Sequence, residues 1–317
     1  MSTDCPWCSA PIVPGPKCPR CGANYAKAEA IRLHGRANAQ CDAHAEDAEV
    51  QTTPESLLIM YNDEPPLVAD VVMEWKYCVV ALPVMLILAI IFHAFSLGHF
   101  FQRTFLSMPV HEFGHAFTAW FCGHYAVPTL WKTLTSDSRG LLTALAVATA
   151  VLYMTIRAVI AQDRLIMFAG LGLLLFQVIC TLVISAQAAE ALIVFGGDGG
   201  AMVFGTLLMT TFYFGKDTQL YRGSLRWGFL AIGAAAFVDT FSTWWSALSD
   251  EDMIPYGEME GVGLSDPSHL VETFGWTQSA MVHRYVGLGI FCLLVLVCVW
   301  VWGMHKAKAE IQREAQR

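Results

Sequence analysis

His111, Glu112 and His115 stand in the order His-Glu-x-x-His within Met108-Pro109-Val110-His111-Glu112-Phe113-Gly114-His115-Ala116. On a helix the two histidines fall one turn apart and project their imidazoles from one face, a spacing that can hold a single zinc ion. Glu112 follows the first histidine directly, which sets its carboxylate beside such an ion rather than on it, suited to taking a proton from water. It is the only acid between Arg103 and Lys132. A charge at membrane depth costs about 3 kcal/mol or more unless it is paired or faces a cavity, so this acid points to function. The competing explanation is a polar trio that hydrogen-bonds neighbouring helices.

Two histidines leave a catalytic zinc site short of a ligand, since three protein groups plus water are usual. Asp198, within Gly196-Gly197-Asp198-Gly199-Gly200, is the first choice, because four glycines around one acid are expected to loosen the helix and bring backbone close to a metal and an extended substrate. Asp239, in ordinary helical sequence and followed by Thr240, Ser242 and Thr243, is the alternative third ligand, although hydrogen bonding to those hydroxyls explains it more simply than metal ligation does. Glu190 is the third candidate.

A second constellation lies at the amino terminus. Cys5-Pro6-Trp7-Cys8 and Cys18-Pro19-Arg20-Cys21 are two Cys-x-x-Cys pairs at the spacing that closes four thiolates around a structural zinc ion. They resemble a zinc ribbon over residues 1–24, in which metal binding would supply most of the folding energy. A pair of disulfides or a redox motif is the simpler competitor. Cys41, Cys78, Cys122, Cys180, Cys292 and Cys298 mostly fall in apolar stretches, as small packing residues do.

The elements that must hold these groups are apolar. Of the 317 residues 55% are hydrophobic and 15% charged, with mean hydropathy +0.48, against about 25% charged in a soluble domain. The net charge of -8 and the lack of a Lys/Arg cluster exclude a nucleic-acid footprint. Charge-poor stretches long enough to cross a bilayer are Tyr77–Leu97, Phe105–Tyr125, Leu141–Val159, Leu165–Ser185, Ala191–Phe214, Trp227–Leu248 and Tyr285–Met304. The expected fold is an all-α polytopic membrane protein of six or seven spans over 77–305. A flexible linker, 25–76, joins it to the ribbon, and a basic tail, 306–317, follows. Lys306, Lys308, Arg313 and Arg317 place that tail in the cytoplasm, with the acidic loop from Asp250 to Glu272 opposite. The thiol chemistry of the ribbon fits the reducing cytoplasmic side, which a seven-span count contradicts, so one segment is expected to cross incompletely.

His111-Glu112-Phe113-Gly114-His115 together with the later Asp198-Gly199-Gly200 resembles the site-2 protease family of intramembrane zinc metalloproteases, over roughly Phe105 to Phe214. The resemblance implies that His111, His115 and Asp198 ligate a catalytic zinc, that Glu112 is the catalytic base, and that the substrate is a membrane-anchored protein. The chain differs from the family in lacking Asn-Pro before Asp198, in having two apolar segments between the motifs, and in carrying no visible inserted peptide-binding domain. The ribbon would add a structural zinc and a docking surface for a protein partner. Two further readings compete: a non-catalytic metal-binding scaffold or transporter, and a di-iron hydroxylase drawing on His93, His99 and His124. Clusters of the His-x-x-His-His kind that the latter needs are absent, so these three are expected to be packed or interfacial. Leu264-Ser265-Asp266-Pro267-Ser268-His269 is expected only to start a turn or helix, and Trp227, Trp244, Trp245, Trp276, Trp300 and Trp302 to mark an interfacial belt.

Overall fold

The computed structural model describes residues 68–214, 225–259 and 263–315. The Cys5, Cys8, Cys18 and Cys21 ribbon lies outside them. Among the described residues nine α-helices and two short hairpins follow one another: α1 Val68–Ala94, α2 Ser96–Phe101, α3 Met108–Phe121, β1 Ala126–Pro128, β2 Thr133–Thr135, α4 Leu141–Ile160, α5 Arg164–Val178, α6 Ala186–Thr210, α7 Leu225–Ser246, β3 Glu258–Met259, β4 Gly263–Leu264, α8 Asp266–Glu272 and α9 Gln278–Glu314. Among the described residues five helical segments are long and apolar enough to cross a membrane: Val71–Ala94, Leu141–Ile160, Arg164–Val183, Ala186–Tyr213 and Gln278–Glu314. The chain is therefore a polytopic helical membrane protein.

Two of the seven expected spans fall outside this set, each for a physical reason. Helix α3 completes a helical run from Ser96 to Phe121 that is long enough, but Gln102, Arg103, His111, Glu112 and His115 lower its apolarity. A π-helical stretch, Gln102–Ser107, joins it to α2 just ahead of Pro109, whose ring removes a backbone donor from the ladder. Helix α7 has the length, but Asp239, Thr240, Ser242 and Thr243 lower its apolarity, and Asp239 and Thr240 face inward.

Helix ends also run past the expected boundaries. Helix α1 begins at Val68, inside the segment read as linker. Glu74 within it is paired: Arg226 at the start of α7 donates to both its oxygens, at 2.7 and 3.1 Å. Helix α9 continues to Glu314 through the basic tail.

Helix α6 is the axis of the bundle, with α3, α7 and α9 packed around it. Ser185 caps its amino end by accepting from the Ala188 N–H. Helices α4 and α5 form a hairpin whose outer faces expose Leu145, Leu152, Ile156, Leu171 and Leu175, as lipid-facing helices do. Gln177 Nε2 ties the pair together by donating to the Ala144 carbonyl, 2.7 Å away. The main core gathers Leu82, Met202, Met209, Leu230, Phe237, Trp244 and Tyr285 from α1, α6, α7 and α9, with Phe212 from the turn after α6.

Candidate active site

Helix α3 presents His111 and His115 one turn apart, as the spacing requires, with imidazole centroids 4.7 Å apart. Each ring is fixed through Nδ1. His115 Nδ1 lies 2.8 Å from the Ile193 carbonyl on α6, and His111 Nδ1 lies 2.9 Å from Asp198 Oδ1. A carbonyl and a carboxylate only accept, so both Nδ1 atoms carry hydrogens and both Nε2 atoms offer lone pairs. Those two Nε2 atoms face each other at 3.1 Å.

A third donor closes the triangle. Asp266 Oδ2 sits 3.2 Å from His111 Nε2 and 3.1 Å from His115 Nε2. The oxygen is buried and has no hydrogen-bond partner aligned on it. Tetrahedral zinc with bonds of 2.0–2.2 Å sets neighbouring ligand atoms about 3.3–3.6 Å apart, so the three edges agree within a few tenths of an ångström. Three lone pairs converging in a buried site repel one another unless a cation stands among them, and two imidazoles with a carboxylate are ligands suited to zinc.

Asp266 reaches this position because Ser265 caps α8, accepting from the Ser268 N–H, and Pro267 fills the first turn without needing a donor. Ser268 Oγ in turn accepts from the Gly257 N–H, anchoring the loop that the β3–β4 pair pinches together. Burial opposes ionisation of Asp266, and positive charge on His115 and His111, or on a cation held between them, outweighs it and keeps the carboxyl below the usual carboxylate range.

The glycines around Asp198 do something other than loosen a helix, since α6 runs unbroken from Ala186 to Thr210. They let α3 and α6 touch backbone to backbone. A Cβ on Gly114 would fall 2.2 Å from the Gly196 carbonyl oxygen, and one on Gly200 would fall 2.4 Å from Gly114 Cα. Asp198 is thereby brought to the motif, but behind it. Its Oδ1 accepts from His111 Nδ1 and its Oδ2 from Trp244 Nε1, 2.8 Å away, while the position facing both Nε2 atoms belongs to Asp266. A carboxylate on the far nitrogen of a ligating histidine fixes tautomer and ring angle and raises ligand basicity. Trp244, expected in an interfacial belt, is instead fully buried and stacks on Tyr285 at 4.1 Å.

Glu112 is buried next to this centre and is held from the opposite side. The β1–β2 hairpin pairs Ala126 with Thr135 and Pro128 with Thr133, and Trp120 Nε1 pins it to α3 through the Ala126 carbonyl at 2.9 Å. Thr133 Oγ, carried on β2, lies 2.8 Å from Glu112 Oε2 and equally close to the Glu112 carbonyl. Glu112, His111, His115 and Asp266 open on one cavity of ≈ 660 Å³, with Trp131 and Lys132 on its rim.

The other sequence candidates are placed as follows. Asp239, fully buried, lies at neither histidine of the motif. It meets His99 Nε2 at 3.0 Å through Oδ1 and Arg103 Nη1 at 3.0 Å through Oδ2. Thr243 Oγ reaches only its backbone carbonyl. Glu190 is exposed on α6. His124 is buried and donates from Nδ1 to the Ser136 carbonyl, a packing role as expected. Asp266 is the residue that the sequence did not single out. It sits among Asp250, Glu251, Asp252, Glu258 and Glu272, and its one distinguishing signal is its place in Ser-Asp-Pro at a helix start.

No protein-family model, curated protein or solved structure matches the chain. The class is defined by the site: His111, Glu112 and His115 with the distal Asp266 match the arrangement of zinc metalloproteases of the His-Glu-x-x-His type, embedded here among apolar helices.

Proposed function

We propose that the chain is an intramembrane zinc metalloprotease of the site-2 protease kind, hydrolysing peptide bonds of membrane-anchored proteins. The observation that carries this reading is the convergence of His111 Nε2, His115 Nε2 and Asp266 Oδ2 beside buried Glu112, in a cavity within a bundle of apolar helices. In this reading Asp266 takes the third-ligand role that the family resemblance implies for Asp198, and Asp198 orients His111.

His111, His115 and Asp266 would hold a zinc ion, which would supply Lewis acidity toward a peptide carbonyl and toward water. Glu112 accepts the proton of the attacking water and returns it to the leaving amine, while Thr133 Oγ holds its carboxylate in line. Asp198 and the Ile193 carbonyl keep both imidazoles in the ligating tautomer. The cavity falls within the range of about 300–1,000 Å³ typical of ligand sites and would take a short unwound stretch of substrate. Cys5, Cys8, Cys18 and Cys21 would bind a second, structural zinc on the cytoplasmic side, with the basic carboxyl end, and the ribbon would recruit a protein partner.

Glu112→Gln separates catalysis from a metal-binding scaffold or transporter. The variant is expected to keep its zinc and to lose cleavage of a membrane-anchored reporter by roughly 10²–10⁴-fold. Cleavage at the wild-type rate would remove Glu112, and with it the protease reading.

A further inference from the structure

We propose that His93, His99 and Asp239 form a second site for a divalent transition-metal cation such as zinc, separate from the centre on α3. Asp239 Oδ1 lies 3.0 Å from His99 Nε2 and 3.6 Å from His93 Nδ1. These edges bracket the separation of about 3.3–3.6 Å expected of neighbouring zinc ligands. The two rings stand 4.4 Å apart, and all three donor atoms fall within 4.8 Å of one another.

Two independent observations point to a cation. First, His93 Nδ1 is buried with no hydrogen-bond partner, an arrangement that costs about 1–3 kcal/mol and that a metal ion would relieve. Second, one guanidinium serves two buried carboxylates: Arg103 Nη1 is 3.0 Å from Asp239 Oδ2 and 4.0 Å from Asp198 Oδ1. Positive charge is therefore short on the Asp239 side. Arg103 occupies Oδ2 only and leaves Oδ1 turned toward both imidazoles, the division of labour found where a ligating carboxylate is steadied by an outer partner.

The chain makes the cluster from local and distant parts. His93 lies in the last turn of α1 and His99 in α2, on either side of the break at Phe95, while Asp239 projects from α7. The His99 side chain is about half exposed, whereas those of His111, His115 and Asp266 are more deeply buried. Two imidazoles and one carboxylate select zinc or a similar borderline cation over magnesium or calcium, which prefer oxygen ligands.

The test is zinc bound per chain at saturation, measured by equilibrium dialysis and elemental analysis on the full-length protein in detergent. The variants are His93→Gln/His99→Gln, His111→Ala/His115→Ala, and the two combined. Each pair is expected to remove one zinc and the combination two. Wild-type stoichiometry in His93→Gln/His99→Gln, or a combined variant that loses no more than His111→Ala/His115→Ala alone, overturns the proposal. His99→Gln alone, at a half-exposed position and checked for monodispersity by gel filtration, guards against misfolding. It should weaken one equivalent of zinc at least tenfold, and unchanged affinity also overturns the proposal. Loss of zinc from the His93 pair but not from the His111 pair would leave this site standing while removing the protease reading.

Discussion

Gly197→Ala is the sharpest probe of the metal centre, because it puts a methyl group in place of a hydrogen where the structure has no room for it. The new Cβ would lie 2.4 Å from His115 Nε2 and 2.6 Å from Asp266 Oδ2. Ordinary contact needs about 3.5 Å, so the methyl intrudes by about 1 Å on two of the three donor atoms at once. Helix α6 could back away from α3 only by opening the seam where Gly114 and Gly200 meet main chain to main chain. The imidazole and the carboxylate must yield instead. A displacement of about 1 Å at a reacting centre costs about 10²-fold in rate, and loss of ligand geometry should weaken zinc by at least as much, about 2.7 kcal/mol. The helix itself gains, because alanine is favoured over glycine in a helix interior by about 1 kcal/mol. The expected result is a folded, monodisperse protein whose zinc, measured by chelator competition, is bound at least 10²-fold more weakly and whose cleavage of a membrane-anchored reporter is lost. Gly172→Ala on α5, where a Cβ meets nothing within 4 Å, is the matched control and should behave as wild type. Wild-type zinc affinity and cleavage in Gly197→Ala would refute the placement of Asp266 and His115 around one ion.

Asp266→Asn and Asp198→Asn should differ in kind. The first removes a charged donor from the triangle and should abolish stoichiometric zinc at the α3 centre, whereas the second disturbs only the far side of His111 and should weaken zinc by about 10–100-fold, both read by the same chelator competition. Thr133→Val takes the hydroxyl from Glu112 without touching a ligand, so zinc content should be unchanged while kcat falls about tenfold or more, in keeping with about 1.5–3 kcal/mol for a hydrogen bond to a charged group. Zinc loss in Thr133→Val would show that the hairpin supports the metal rather than the base.

Local spacing was enough for half of the site. His111, Glu112 and His115 are read from a motif whose geometry is set within one helical turn, and their contribution to one face of α3 follows from 3.6 residues per turn. The apolar segments were legible for the same reason, because each needs only its own length and composition. What escaped depends on tertiary pairing. The spacing that marks α3 says nothing of a loop far along the chain, so Asp266 carried no more signal than the other acids of its segment. The glycines of α6 were noticed, but their partner, Gly114, lies on another helix, and a run of glycines reads alike whether it loosens a helix or narrows a seam. Asp239 was singled out, but its partners were not, because His99 comes from α2 and Arg103 from the π-helical stretch that follows. The β1–β2 hairpin, only three residues per strand, was hidden behind the apolar run that precedes it.

The direct contact of Gly114 with Gly196 and Gly200 has a consequence for how this protein can vary. Where two helices are spaced by side chains, their separation can be retuned by exchanging larger residues for smaller ones. Here the spacer is the peptide backbone itself, whose thickness no substitution alters. The ruler that sets Asp198 and the Ile193 carbonyl against the two imidazoles is thus the same in every variant that keeps these glycines. The lipid-facing surfaces of α4 and α5 can change freely around it, whereas a single methyl in the seam pushes on two helices and the histidines they position.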